Sequence, residues 1–452
     1  MKKRLKEETV ILISVVKWVV LATCIGLIVG AAAAVFLRML QYGINLGARW
    51  PYTFYLLPAA MFLTVIAIKY LAPDAKGHGT EKVIEAVHER SGKIKAAVVP
   101  VKLFATIVTI AAGGSVGKEG PCAQIGAGLS SIFADIFRFG DDDRKKLVIC
   151  GISAGFASVF GTPIAGAIFG VEAIFIGSLL YDVLLPSFVA GIVSFNVSSA
   201  LGITYFNHPV NFMHSFNQFF FFKIILAGIF FGLCARFLIE IIKLGEKGAE
   251  KIKIWPPLKG FLGGIILIFL AVVFSRQYLG LGVESIEACL SGNPSLPWYA
   301  FILKSVFTGI TLGFGGSGGV VTPIFFVGTA AGAAFAGLFG LSMDTFAAIG
   351  MVSLLAGAAN TPIAASIMAV ELFGPSIAPY AAISCIISFL ITGHHSIYAS
   401  QRLAIKKSAS IDVELGKRIE DIEPSVKPRK KSFLGLFLRI IKKDKRETTP
   451  AK

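Results

Sequence analysis

The chain repeats itself. KLFATIVTIAAGGS at residues 102–115 lines up with KSVFTGITLGFGGS at residues 304–317. Both copies then run GxxxP, from Gly117 to Pro121 and from Gly319 to Pro323, and Gly126 and Gly328 keep the step. Upstream, GHG at residues 77–79 is answered by GLG at residues 280–282. Downstream, Thr162-Pro163 and Val171-Glu172 recur as Thr361-Pro362 and Val370-Glu371. Matches in one order define a duplicated unit. Its period is far too long for a solenoid, whose repeats run about 20–50 residues. Two large halves interrupted by Gly and Pro at corresponding places point to a membrane transporter, with the binding site near the midplane where the broken helices meet.

The membrane reading rests on composition: 55% of the 452 residues are hydrophobic and 15% charged, too little polar surface for a soluble domain of this size. Apolar runs at residues 9–37, 147–180, 219–242, 261–274 and 351–373 mostly reach the ~20 residues that cross a hydrocarbon core. The first two exceed one span, so re-entrant or broken helices are expected. The first run is too long for a signal peptide and reads as a retained helix. Half of the net charge of +16 lies in residues 401–452, with 15 Lys/Arg against 7 Asp/Glu, and the N-terminus is basic as well. The positive-inside rule then puts both ends in the cytoplasm, with an even number of crossings of the cell membrane. This is orientation charge and not a nucleic-acid surface. Residues 432–443 could lie on membrane lipid as a short amphipathic helix. Six scattered cysteines form neither a disulfide framework nor a zinc motif, and no metal or other cofactor is expected. The expected organisation is a cytoplasmic N-terminus (1–14), repeat 1 (15–205), a linker (206–218), repeat 2 (219–403) and a basic tail (404–452).

Chemistry concentrates at the two breaks. In GGSVGKEGP (113–121) the glycines expose backbone N–H groups and Pro121 suits the first turn of a helix. A helix N-terminus inside the membrane, with unpaired donors and a positive dipole end, is an anion site. Glu119 is an ionisable group at membrane depth, where such groups are functional by default. Its carboxylate can fill the anion site itself and leave on protonation; a plain helix cap is the competing reading. The matching GGVVTP (318–323) has no charge, leaving the N–H groups of Val320 to Thr322 as donors, with the Thr322 hydroxyl as an extra.

These motifs resemble the CLC family of anion channels and proton-coupled antiporters. GKEGP at 117–121 looks like the family's GREGP/GKEGP signature, residues 319–323 like GxFxP, GHG at 77–79 lies where the family has GSGIP, and Tyr398 looks like its pore tyrosine. The resemblance covers about residues 15–403. It implies an all-α polytopic fold of two inverted repeats with many tilted and broken helices, and a homodimer with one pore per subunit. It makes Glu119 the gating and outer proton-handling group. The N–H groups of Val320 and Val321 and the Tyr398 hydroxyl would hold a central anion, with Gly117, Lys118 and Gly120 lining an outer site. Lys118 would add positive potential there, or serve only as a solvated interface lysine.

Three departures bear on the transfer. His78 replaces the family's serine, and Thr80-Glu81 stand for Ile-Pro; the imidazole could donate to an anion or simply cap a helix end. Val321-Thr322 replaces the usual phenylalanine, a pair similar to the fluoride-exporting branch. Ala173 occupies the position of the antiporters' inner glutamate, with Glu172 one residue earlier and about 100° away on a helix. Glu172 and its repeat partner Glu371 therefore read as structural. The expected activity is transport of chloride or another halide, as an anion/proton antiporter; a passive channel and a fluoride/proton antiporter are the alternatives. An intramembrane enzyme is set aside, since Glu119 has no nucleophile, metal motif or second carboxylate beside it in the sequence.

Overall fold

The structure, a computed structural model, describes residues 2–206, 208–209, 218–293 and 296–427. The amphipathic stretch expected at 432–443 and most of the linker lie outside them. The described residues form eight α-helices in each half. The first half holds α1 (Lys2–Ala48), α2 (Leu57–Leu71), α3 (Thr80–Glu89), α4 (Val98–Ala111), α5 (Glu119–Ile136), α6 (Asp141–Phe160), α7 (Pro163–Glu172) and α8 (Tyr181–Ala200). The second holds α9 (Gln218–Lys251), α10 (Pro256–Val273), α11 (Val283–Leu290), α12 (Ala300–Gly313), α13 (Val321–Phe339), α14 (Met343–Ala359), α15 (Pro362–Phe373) and α16 (Ala378–Thr392). Seven helical segments are long and apolar enough to cross a bilayer, and five further apolar helices are shorter.

The long apolar runs behave differently. Residues 9–37 stay in one unbroken helix, α1, which at about 1.5 Å per residue outruns a bilayer. Nothing in that run removes a backbone donor or demands a left-handed residue, so the break expected there does not occur. Residues 147–180 do break, at Gly161, whose φ of +71° ends α6 before Pro163 starts α7. In the second half Asn360 takes the same left-handed role at φ +57°, and Pro362 starts α15.

The two halves are inverted. α6 begins next to Lys17 of α1, through a 2.6 Å ion pair from Lys17 to Asp143. It ends at Phe160, on the side where Phe206 lies. Its repeat partner α14 runs the other way and ends at Asn360, whose side-chain carbonyl accepts from Lys407 Nζ at 2.6 Å. Lys407 and Lys17 sit on one face, because the post-helical chain is tied to that face. β1 (Phe175–Ile176) pairs with β2 (Arg402–Leu403), and Arg418 pairs with Glu89. A second pair, β3 (Ile411–Asp412) with β4 (Ser425–Val426), packs Ile419 and Val413 against Phe389 and Leu403. The start of α1 and the described part of the tail therefore share a face.

Reciprocal bonds knit the halves about a pseudo-two-fold axis. Glu172 accepts from the N–H groups of Ile363 (3.0 Å) and Ala364 (2.8 Å) at the start of α15. Glu371 accepts from those of Ile164 (3.0 Å) and Ala165 (2.8 Å) at the start of α7. Each acid thus satisfies orphan donors and the dipole of the other half's helix. The buried cations are paired likewise. Lys102 Nζ donates to the carbonyls of Ala75 and Gly77, and Lys304 Nζ to those of Tyr278 and Gly280, so each lysine pins the glycine bend before its own broken helix. Small residues set the helix spacing. Gly126 of α5 backs onto Gly151 of α6, and Gly328 of α13 onto Gly350 of α14, which lets backbones touch and leaves both α5 and α13 buried.

Candidate functional site

The two Gly/Pro breaks meet at the axis. Gly117 and Gly319 exchange N–H···O=C bonds of 2.6 Å in both directions, an antiparallel bridge between the halves. Only glycine permits this approach: a Cβ on Gly319 would come within 2.7 Å of the Gly120 nitrogen, and one on Gly120 would strike the His78 carbonyl. Hydroxyls support the crossing. Thr109 accepts from the Ser317 N–H (3.1 Å) and Thr311 from the Ser115 N–H (3.2 Å), again as a symmetric pair.

The bridge brings the starts of α5 and α13 face to face, and Glu119 spans the gap. Its side chain is buried, 1% exposed. Oε1 accepts from the Thr322 hydroxyl at 2.5 Å and Oε2 from the Thr322 N–H at 3.1 Å. A carboxylate therefore sits on the N-terminal turn of α13, where the first N–H groups, those of Val320 and Val321 among them, lack intrahelical partners. A negative group held by helix-start donors and a dipole end is a direct stand-in for a bound anion. Lys118 and Glu119 line a cavity of about 100 Å³ with Phe160, Thr204, Phe206 and Thr322, on the face opposite the tail.

Of the other residues singled out in the sequence, Tyr398 arrives in the same neighbourhood from the far end of the chain. It is fully buried, with its ring edge-on to Phe169. Its hydroxyl lies beside that of Thr80 and within electrostatic reach of both Glu119 and Glu81. Neither hydroxyl finds an aligned hydrogen-bond partner among the described residues. His78 is buried at 8% exposure, its Nε2 3.6 Å from Glu246 Oε1 and its Nδ1 without a partner among the described residues. Glu246 lies on the wall of a second, wider cavity of about 770 Å³ on the tail face, lined also by Glu240, Lys243, His395 and Ala399 among others. Ala173 is buried, and its carbonyl is taken by the Gln401 amide at 2.8 Å. His208, between α8 and α9, bonds the Leu290 carbonyl at 3.0 Å.

The sequence reading passed over Thr80 and Glu81 as neighbours of the site and the two buried lysines as supports of its bends. The lysines were findable: each heads its copy of the repeat and is a charge inside an apolar run. Thr80 and Glu81 were visible only as departures from GSGIP, because their closeness to Tyr398 is a contact across more than half the chain.

A family model described as voltage gated chloride channel matches residues 59–393. The chain belongs to that family, the CLC proteins. It is 38% identical over 415 residues to a chloride/fluoride channel protein of Pseudomonas syringae pv. tomato, which covers 90% of this chain and 91% of the relative. Among solved structures, it is similar to a CLC-type fluoride/proton antiporter at a TM-score of 0.82 and 27% identity, over 86% of this chain and 98% of that one. A slow cyanobacterial Cl−/H+ antiporter shares the fold at a TM-score of 0.71 and 21% identity, over 83% of this chain and 94% of that one.

Proposed function

We propose that this chain carries small halide anions, fluoride foremost and chloride as the alternative, across the cell membrane in exchange for protons. The observation that carries the reading is the Glu119 carboxylate docked on the start of α13. A group in that position competes with an anion for the same donors, and protonation weakens its claim, so proton arrival and anion arrival become linked. Halide exchange is supported by the names of the 38% identical relative and of the antiporter structure. Fluoride is favoured by Thr322, whose hydroxyl adds a hard donor beside the small side chain of Val321, suited to a strongly hydrated ion. Val320, Val321, Thr322 and Tyr398 hold the central anion in this reading, and Gly117, Lys118 and Gly120 line its outer approach. The pathway is built within one chain, so a homodimer has two independent pores. Both ends face the cytoplasm by the positive-inside rule, and the protein is a transporter and not an enzyme.

A passive channel is the second reading, favoured by the apolar Ala173 with its carbonyl already occupied. The deciding experiment is efflux from proteoliposomes, with an anion-selective electrode for fluoride or chloride and a pH electrode outside. Under antiport, anion efflux drives protons inward against their gradient, and Glu119→Gln abolishes the proton movement. Anion efflux with no proton movement in the wild type refutes antiport.

A further inference from the structure

We propose that Glu81 is the acid that brings protons from the tail-face cavity to Glu119, with His78 and Glu246 as its entry; this rests on the antiport reading. Four observations converge on it. Glu81 and Glu119 both lie within electrostatic reach of the Tyr398 hydroxyl. Glu81 sits at the start of α3 with one oxygen engaged: Oε1 accepts from the Ser400 N–H (2.9 Å) and hydroxyl (2.5 Å). Oε2 is buried and has no partner among the described residues, so it is the oxygen left to take a proton. His78, three residues earlier in the chain, bridges outward: its Nε2 meets Glu246 on the wall of the wide cavity, and its Nδ1 is buried and unpartnered.

The route follows from the two-sidedness of imidazole. A proton taken from cavity water by the Glu246 carboxylate passes to His78 Nε2. The resulting imidazolium releases its Nδ1 proton to an intervening water, which passes one of its own to Glu81 Oε2, and His78 returns to neutral. Glu81 then gives the proton to the Glu119 carboxylate once that group has left Thr322, and Glu81 is again a carboxylate. Only O–H and N–H bonds form and break, and one proton moves inward-to-outward per cycle or the reverse. The charges facing these groups suit transient ionisation. Lys82 and His78 lie near Glu81, while His78, Lys76 and Lys243 lie near Glu246. Lys82 is already paired with Glu85 at 2.6 Å, which leaves His78 as the group that can relieve Glu81. A route past Tyr398 also explains how protons reach Glu119 without an acid at Ala173. A carboxylate here carries a second consequence: ionised, it repels an anion at Tyr398, so proton and anion occupancy rise together.

The competing role is mechanical: Glu81 pins Ser400 and so seats Tyr398. Glu81→Gln keeps the carbonyl acceptor for Ser400 but cannot carry a proton, whereas Ser400→Ala loosens the pin and leaves the acid. The measurement is protons taken up per fluoride released from proteoliposomes. The expected result is a ratio near wild type in Ser400→Ala and a loss of about a hundredfold in proton rate in Glu81→Gln. Glu246→Gln, a change at a half-exposed cavity wall, slows proton uptake in the same direction and serves if Glu81→Gln does not insert. An unchanged ratio in Glu81→Gln overturns the proposal, as does equal uncoupling by Ser400→Ala. A wild type that moves no protons refutes the antiport reading itself, and this route with it.

Discussion

Replacing Thr322 with valine removes one hydroxyl and keeps the β-branched shape at the first turn of α13. What is lost is the 2.5 Å bond to Glu119 Oε1; the 3.1 Å bond from the Thr322 N–H to Oε2 stays. Hydrogen bonds to charged groups contribute about 1.5–3 kcal/mol. At about 1.4 kcal/mol per decade, the docked carboxylate loses roughly ten- to a hundredfold of its hold. Only the difference between carboxylate and incoming anion shifts the gate. Chloride, which leans on the N–H groups of Val320, Val321 and Thr322 more than on the hydroxyl, gains on Glu119, whereas fluoride loses a donor of its own. The expected phenotype is faster chloride efflux from proteoliposomes, with fewer protons moved per anion. The Glu119→Gln background is the control: there Thr322→Val changes the chloride rate little, since no carboxylate remains to be released. Unchanged efflux and coupling in Thr322→Val alone refute the reasoning. That result means the hydroxyl serves the anion as much as the carboxylate, and the gate is held by the helix start without it.

Two further expectations concern the scaffold. Glu371→Gln exchanges a charged cap on α7 for a neutral one that keeps a single acceptor, and is expected to cost about 1–2 kcal/mol. A lower melting temperature of the detergent-solubilised protein checks it, and an unshifted melt rejects the cap. Asp412, on the tail face outside the helices, is held down to about 2 by its bonds to Lys406 (2.8 Å) and Lys427 (2.6 Å). Its pKa is lower in the folded state, so its contribution is complete above the ordinary carboxylate value of about 4 and fades as pH falls towards 2. Protease nicking of residues 404–427 should therefore increase between pH 4 and pH 2 in an acid-stable protease assay, and Asp412→Asn should nick at both pH values alike.

Much of the architecture was legible in the linear chain, for a physical reason. Lipid forces every apolar run into a helix and allows a break only where it is buried, so the GxxxP and Thr-Pro interruptions mark the functional centre directly. Duplication then supplied the partner of each break, and the pairing of Glu172 with Glu371 as structural acids followed from it. The unbroken α1 was misread because length alone does not end a helix; a left-handed residue or a missing donor does, as at Gly161 and Asn360. What only the tertiary structure decided is which side chains face one another across the axis. The docking of Glu119 on Thr322, the exchange of bonds between Gly117 and Gly319, and the gathering of His78, Glu81, Glu246 and Tyr398 are contacts between residues far apart in the chain. Local propensity carries no information about such contacts. They arise when two inverted halves close around one axis and bring the starts of their broken helices to a single point.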